Sequence, residues 1–288
     1  MAMARLFGVL GDPVDHSLSP VMHNAAFATL GLPHLYLRYR VAPGDLAGAF
    51  AEARRLGMGG LNLTVPLKEA ALPLLDGLTP AATRMQAVNT VTLRAGRLVG
   101  DNTDGQGFLA SLRTRVAIEA APVLLLGAGG SARAVATALV DAGCPRLTIA
   151  NRTRDRAERL ARDLRGARSR VDVVPLADAT RSAGGDTAVI VNTTSTGLAG
   201  ERVPLDARRS APGALFIDLV YGKRTPFLAA AAHAGRATLD GGLMLLHQGA
   251  LSFAGWTGRP APVRAMAAAL RTAGLALPEP IGGGTRIS

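Results

Sequence analysis

The chain has 288 residues, 48% of them hydrophobic, which is enough for two domains with ordinary cores, and no apolar run approaches the length of a membrane span. A single cysteine, Cys144, excludes an internal disulfide and a cysteine metal cluster. The net charge of +11 is compatible with nucleic acid, with anionic small molecules or with biased codon usage, but aromatics are only 4%, too few for single-strand stacking platforms.

The start, Met1 to Phe7, has no apolar signal region, so the protein is expected to be cytoplasmic. Arg5 to Leu10 reads as a first strand, followed by Asp15-His16-Ser17-Leu18-Ser19-Pro20 and a helix over Val21 to Leu30. Pro20 suits the first helical position and Ser19 the cap. Ser17 and Ser19 are therefore open to two readings: capping and turn residues, or paired hydroxyls that receive a carboxylate beside a helix start. His34 to Val41 and Gly59 to Val65 are further strands, with a helix over Leu46 to Leu56 and another opening at Pro66. This alternation predicts a parallel sheet, whose ligands gather beyond the carboxyl ends of its strands. Asn62, Thr64 and Lys68 lie at such an end.

Of the 32 basic residues only Lys68 and Lys223 are lysine. In a chain so biased to arginine, a retained lysine is a candidate for proton transfer, which a guanidinium cannot perform. Ala87 to Leu93 and Arg97 to Gly100 read as a hairpin turning at Ala95-Gly96. The polar Gly100-Asp101-Asn102-Thr103-Asp104-Gly105 then precedes a helix expected near Gly107. Asp104 is either an N-cap or the partner of Lys68 in a catalytic pair.

Pro122 to Leu126 is an unbroken apolar run, Gly127-Ala128-Gly129-Gly130 a turn, and Ser131 onward a helix with Ala132 at the third small position of the dinucleotide fingerprint. Such a turn presents backbone N–H groups and a helix N-terminus to a pyrophosphate. After the next strand, Arg146 to Ala150, stand Asn151-Arg152-Thr153-Arg154-Asp155-Arg156, with Asn151 24 residues beyond Gly127. An acidic residue at this place would favour NAD. Arginines favour the 2′-phosphate of NADP. Val171 to Val174, Thr187 to Val191, Ala214 to Leu219 and Ala237 to Leu239 complete the strands, and Asn192 to Gly197 is a small-residue loop suited to close cofactor approach. Asp240 leads into a long apolar helix, and Pro278 to Ser288 is expected to be mobile. His16 is expected to be a structural hydrogen-bonder; His23, His34, His233 and His247 read as packing or helix-surface residues, and no metal-ligand spacing is present.

Taken together, His16 to Pro20 (HSLSP), Asn62 to Lys68 (NLTVPLK), Ala87 to Thr90 (AVNT), Gly100 to Gly105 (GDNTDG), Gly127 to Arg133 (GAGGSAR), Asn151 to Arg156, Asn192 to Gly197 (NTTSTG), Tyr221 to Pro226 (YGKRTP) and Gly241 to Gln248 resemble the shikimate dehydrogenase family, in order over nearly the whole chain. The resemblance implies an α/β fold: an N-terminal three-layer α/β substrate domain over residues 1–104, a Rossmann-type doubly wound NADP-binding domain over 105–240, and C-terminal helices, 241–288, returning to the substrate domain. It further implies that Ser17 and Ser19, assisted by Tyr221, bind the shikimate carboxylate. Asn62, Thr64, Asn89 and Gln248 would contact the ring hydroxyls, and Lys68 and Asp104 would form the catalytic pair, with Lys68 as proton donor to the C3 oxygen of 3-dehydroshikimate. Gly127 to Ser131 and Asn151, Arg152, Thr153 and Arg156 would contact NADP, with Leu219 and Gly241 near the nicotinamide. A monomer or homodimer acting on a small molecule, without nucleic acid or membrane, is expected. Rival readings are a broader quinate/shikimate dehydrogenase and a catalytically silent NADP-sensing protein. A nucleic-acid binder is the weakest.

Overall fold

The computed structural model describes residues 3–164, 166, 168–196 and 202–277. Gly197 and the segment 278–288, expected to be mobile, lie outside these. The chain opens with β1 (Leu6–Gly11), α1 (Ser19–Thr29), β2 (Leu35–Arg40), α2 (Leu46–Arg55) and β3 (Gly60–Leu63). It continues through α3 (Leu67–Ala70), β4 (Gly77–Leu78), α4 (Pro80–Met85), β5 (Thr90–Arg94), β6 (Arg97–Asp101) and α5 (Asp104–Leu112). Next come β7 (Val123–Leu126), α6 (Gly130–Asp141), β8 (Arg146–Asn151), α7 (Arg154–Asp163), β9 (Arg170–Pro175) and α8 (Ala179–Ser182). Last are β10 (Val189–Asn192), β11 (Leu215–Asp218), α9 (Pro226–His233), β12 (Ala237–Leu239), α10 (Gly242–Thr257) and α11 (Val263–Thr272).

Two six-stranded sheets result. The first runs β2-β1-β3-β5-β6-β4. The βαβα alternation predicts a parallel sheet, and β2, β1 and β3 are parallel, but β5 is antiparallel to both β3 and β6. The expected hairpin accounts for the β5–β6 pairing: Ala95 and Gly96 both take positive φ, 48° and 75°, as a two-residue type I′ connection requires. β4 is only two residues long and carries no periodicity by which a sequence reading could find it. One face of the sheet packs Phe7, Val9 and Tyr36 against α1 and, from the far end of the chain, Leu246 and Phe253 of α10 and Leu270 of α11. The other packs Leu61, Leu63, Val91 and Leu98 against Phe50 of α2 and Leu67 of α3. Helices on both faces make three layers.

The second sheet is wholly parallel, in the order β12-β11-β10-β7-β8-β9. Its central strands read as unbroken apolar runs because both faces are covered: Leu125, Ile149 and Val191 meet α6 and α7, while Leu124, Ile190 and Phe216 meet α8 and α9. Strand order reverses between β7 and β10, so the loops leaving these two strands open the crevice where ligands of doubly wound sheets bind. Buried Cys144 packs in this core as a small filler, its thiol pushed up by burial.

Two helix starts differ from expectation. α1 begins at Ser19 itself, with Pro20 in its second position, so Ser19 is not the cap; Ser17 Oγ instead accepts the Ser19 N–H at 3.3 Å. α5 begins at Asp104, three residues before Gly107, because Asn102 Oδ1 accepts the Asp104 N–H at 3.0 Å. With Asn102 in that role, the Asp104 carboxylate is not consumed as an N-cap.

Candidate active site

Lys68 and Asp104, 36 residues apart, meet where the two sheets face each other: Lys68 Nζ donates to Asp104 Oδ2 at 2.5 Å and to Ser131 Oγ of α6 at 3.1 Å. Both side chains are largely withdrawn from water, 12% and 5% exposed, which strengthens their interaction over a surface pair. Asp104 is held from its other side, where Asn89 Nδ2 donates to Oδ1 at 2.8 Å. Asn89 is itself fixed by the Thr103 N–H, which donates to Oδ1 at 2.8 Å, and its amide also reaches Gln248 Oε1 at 3.2 Å. A lysine on a one-turn helix thus becomes oriented by a network anchored on β5, α5 and α10.

Ser17, Ser19, Asn62, Thr64, Lys68, Asn89, Asp104, Tyr221 and Gln248 all line one cleft of about 420 Å³. The hydroxyl end is built on the loop before α1, where Arg38 donates twice to the Ser17 carbonyl, at 2.8 and 2.6 Å. The Leu18 N–H donates to Tyr221 Oη at 3.5 Å, and the Tyr221 phenol is held above its usual range by burial, opposed by hydrogen bonds from Leu18 and Ser17. Asn62 is more committed than the sequence suggests. Its Oδ1 accepts from Tyr36 Oη at 2.7 Å, and its Nδ2 donates to the Asn89 carbonyl, Thr90 Oγ1 and Ser252 Oγ at 3.0 to 3.2 Å. Tyr36 is fully buried, stacked on His23 with ring centroids 4.5 Å apart. Sequence reasoning misses Tyr36, Thr90 and Ser252 as parts of the site because each sits in an otherwise ordinary buried pattern.

Ser131, Leu219 and Gly241 line the same cleft, while the remaining expected cofactor residues are not among its lining and follow the carboxyl ends of β7 and β8. Gly127 has φ +113°, and a β-carbon there would stand 2.5 Å from Thr193 Oγ1 of the loop after β10. A β-carbon on Gly130 would stand 2.9 Å from Lys68 Cβ, so glycine allows α6 to approach α3. At Gly129 the added atom would meet only a carboxylate oxygen of Glu69, 4.0 Å away. The turn therefore bares its backbone, with the N-terminus of the twelve-residue α6 behind it, and fits a diphosphate. Asn151 Nδ2 donates to the Thr153 carbonyl at 2.7 Å and shapes the loop after β8. Arg152 of this loop is exposed, and on α7 Arg154 pairs with Glu158 one turn on while Arg156 Nη2 lies 3.1 Å from Glu69 Oε1. At Gly241 a β-carbon would fall 2.0 Å from the Leu219 carbonyl oxygen, so the two expected nicotinamide neighbours are in direct backbone contact.

Lys223, the second lysine, lines the cleft with His16, Thr193 to Ser195, Met244 and Leu275. His23 is buried against Tyr36, ring centroids 4.5 Å apart, and His34 accepts the Arg5 N–H, so both serve packing or local structure. Among the described residues no group of His, Cys, Asp and Glu is placed to hold a metal, and no helix is long and apolar enough to cross a membrane.

Three family profiles match: the shikimate dehydrogenase substrate binding domain over residues 9–91, shikimate / quinate 5-dehydrogenase over 109–221, and the shikimate 5′-dehydrogenase C-terminal domain over 243–271. The shikimate dehydrogenase (NADP(+)) of Moorella thermoacetica is 48% identical over 278 residues, 94% of each chain. Among solved structures, the shikimate dehydrogenase of Aquifex aeolicus superposes with a TM-score of 0.85 at 37% identity, covering 93% of this chain and 98% of its own. The shikimate 5-dehydrogenase of Thermus thermophilus, solved with NADP(H) and shikimate, does so with a TM-score of 0.82 at 42% identity, covering 93% and 99%. With three family profiles matched in order along the sequence and a relative 48% identical over 94% of each chain, the chain belongs to the shikimate dehydrogenase family.

Proposed function

We propose that this protein catalyses the reversible, NADP-dependent reduction of 3-dehydroshikimate to shikimate. The observation that carries the reading is the Lys68–Asp104 pair, closed over by Ser131 at the mouth of the dinucleotide turn and facing a cleft with hydroxyl donors at its other end.

In this reading Ser17, Ser19 and Tyr221 receive the carboxylate of the ring acid. Thr64, Asn89, Asp104 and Gln248 meet its hydroxyls, while Asn62, whose hydrogen bonds are already engaged within the protein, acts on the substrate chiefly by holding Asn89 in place, directly and through Thr90. Gly127, Ala128, Gly129, Gly130 and Ser131 hold the diphosphate, Asn151, Arg152, Thr153 and Arg156 the adenosine end with its 2′-phosphate, and Leu219 and Gly241 border the nicotinamide. The bound cofactor supplies the hydride that reduces C3. As negative charge grows on the C3 oxygen, Lys68 Nζ donates a proton to it and takes one back in the reverse direction. Asp104 fixes the ammonium and accepts from the adjacent hydroxyl, setting the ring against Lys68. Residues 1–104, 105–240 and 241–288 would then be the substrate domain, the cofactor domain and the returning helices.

The test is absorbance at the nicotinamide band with shikimate and NADP, run beside quinate and NAD. Turnover with the first pair well above the second is expected. Equal use of quinate and NAD would favour a broader quinate/shikimate enzyme, and binding without turnover a silent sensor.

A further inference from the structure

One acidic side chain occupies the ground assigned above to the phosphates of the cofactor. Glu69 is the residue after Lys68, on α3. Its carboxylate faces two ways: Oε1 lies 3.1 Å from Arg156 Nη2 of α7, and the same oxygen is the one atom that a β-carbon on Gly129 would meet. Glu69 thus stands over the glycine turn and on the arginine, although α3 packs with the first sheet and α7 with the second. Both partners keep contact with water, at 47% and 40% exposure, so the pair is a weak and reversible one.

We propose that Glu69 is a resident anion that the cofactor must displace: it holds Arg156 while the dinucleotide is absent and yields it to the 2′-phosphate, so that Glu69 sets how strongly the protein distinguishes NADPH from NADH. The inference rests on the reading that Arg156 receives the 2′-phosphate. A dianionic phosphate outcompetes a single carboxylate for a guanidinium, and the released carboxylate moves away from like charge at the turn. Because Glu69 adjoins Lys68 in sequence, the exchange takes place one residue from the proton donor.

The experiment is a double-mutant cycle on the full chain, Glu69→Gln and Arg156→Ala singly and together, with Kd for NADPH and NADH measured by quenching of intrinsic fluorescence at two salt concentrations. Glu69→Gln is expected to tighten NADPH about two- to fivefold, the range of an exposed ion pair, and NADH less. The difference should vanish in the Arg156→Ala background and shrink in high salt. Unchanged or weaker NADPH binding in Glu69→Gln, or equal tightening of both cofactors, would overturn the proposal. Arg156→Ala alone tests the underlying reading separately: if it weakens NADPH and NADH alike, the 2′-phosphate is held elsewhere, and the failure belongs to that assignment rather than to Glu69. Thermal melts of each variant keep a folding defect from passing as an affinity change.

Discussion

Lys68 Nζ lies 2.5 Å from Asp104 Oδ2, and the opposite oxygen of that carboxylate takes the Asn89 amide at 2.8 Å. The carboxylate is therefore held from both sides, and the ammonium has one orientation. Replacing Lys68 by alanine removes the proton donor without removing a ring-hydroxyl contact. We expect kcat to fall about 100-fold or more while KM for dehydroshikimate moves little, measured by steady-state kinetics at neutral pH. Turnover close to wild type would remove Lys68 from the chemistry.

Arg152 is exposed beside Thr153; Arg154, also exposed, is engaged with Glu158 on its own helix. Arg152→Ala should weaken NADPH about tenfold and leave NADH within twofold, since only the former has a phosphate to lose. Arg154→Ala should change neither. Isothermal titration with both cofactors distinguishes these outcomes, and equal weakening by Arg152→Ala would mark it as a structural residue.

Acid sensitivity should originate partly at His23. It is fully buried, its ring nitrogens have no hydrogen-bond partner, and burial lowers its pKa from an ordinary 6.5 to about 3. The folded state thus favours neutral imidazole, and below pH 6.5 the unfolded chain binds a proton that the folded one does not. This group's contribution is complete above pH 6.5 and declines as pH falls toward about 3, by about 1.4 kcal/mol per unit. His23→Phe, which keeps the stack on Tyr36, should flatten the fall in urea-unfolding stability between pH 6.5 and 5. An unchanged slope would place the acid sensitivity in other groups.

Gly241→Ala should be costly, because the new methyl would meet the backbone carbonyl of Leu219 at 2.0 Å, and neither chain segment is a flexible side-chain end. A loss of about 1–3 kcal/mol and a weaker nicotinamide response are expected. Gly255→Ala, within the helix α10 that Gly241 precedes and with open space around it, is the comparison and should be neutral or slightly stabilising. Equal melting temperatures for the two variants would contradict the clash.

Much of this is legible in the sequence because the chemistry leaves compact marks. The apolar run of β7, the glycines of its turn and the arginines after β8 lie within one βαβ unit, where spacing alone carries the geometry. Lys68 and Asp104 stand out by residue type rather than by neighbourhood. What spacing does not carry is any relationship across the chain. Tyr36, Asn62, Thr90 and Ser252 form one hydrogen-bonded cluster from four elements, and Asn62 and Ser252 alone are 190 residues apart. The starts of α1 and α5 differ from expectation because the deciding groups, Ser17 Oγ and Asn102 Oδ1, act through side chains that sequence equally allows to point elsewhere. The hairpin at Ala95-Gly96 is legible and is found, but that β5 lies antiparallel to β3 is a pairing between strands 27 or more residues apart, which no local turn marks.

The scarcity of lysine has a practical outcome. With only Lys68 and Lys223 among 32 basic residues, and both bordering the cleft, the rest of the surface offers arginine where most proteins offer primary amines. An acylating or reductively methylating reagent therefore finds only two side-chain amines: Lys223, exposed at the edge of the cleft, and Lys68, 12% exposed and paired with Asp104. Labelling at Lys68, read against Lys223 as an internal reference, becomes a direct gauge of site occupancy, and a ligand that fills the cleft should shield Lys68 first.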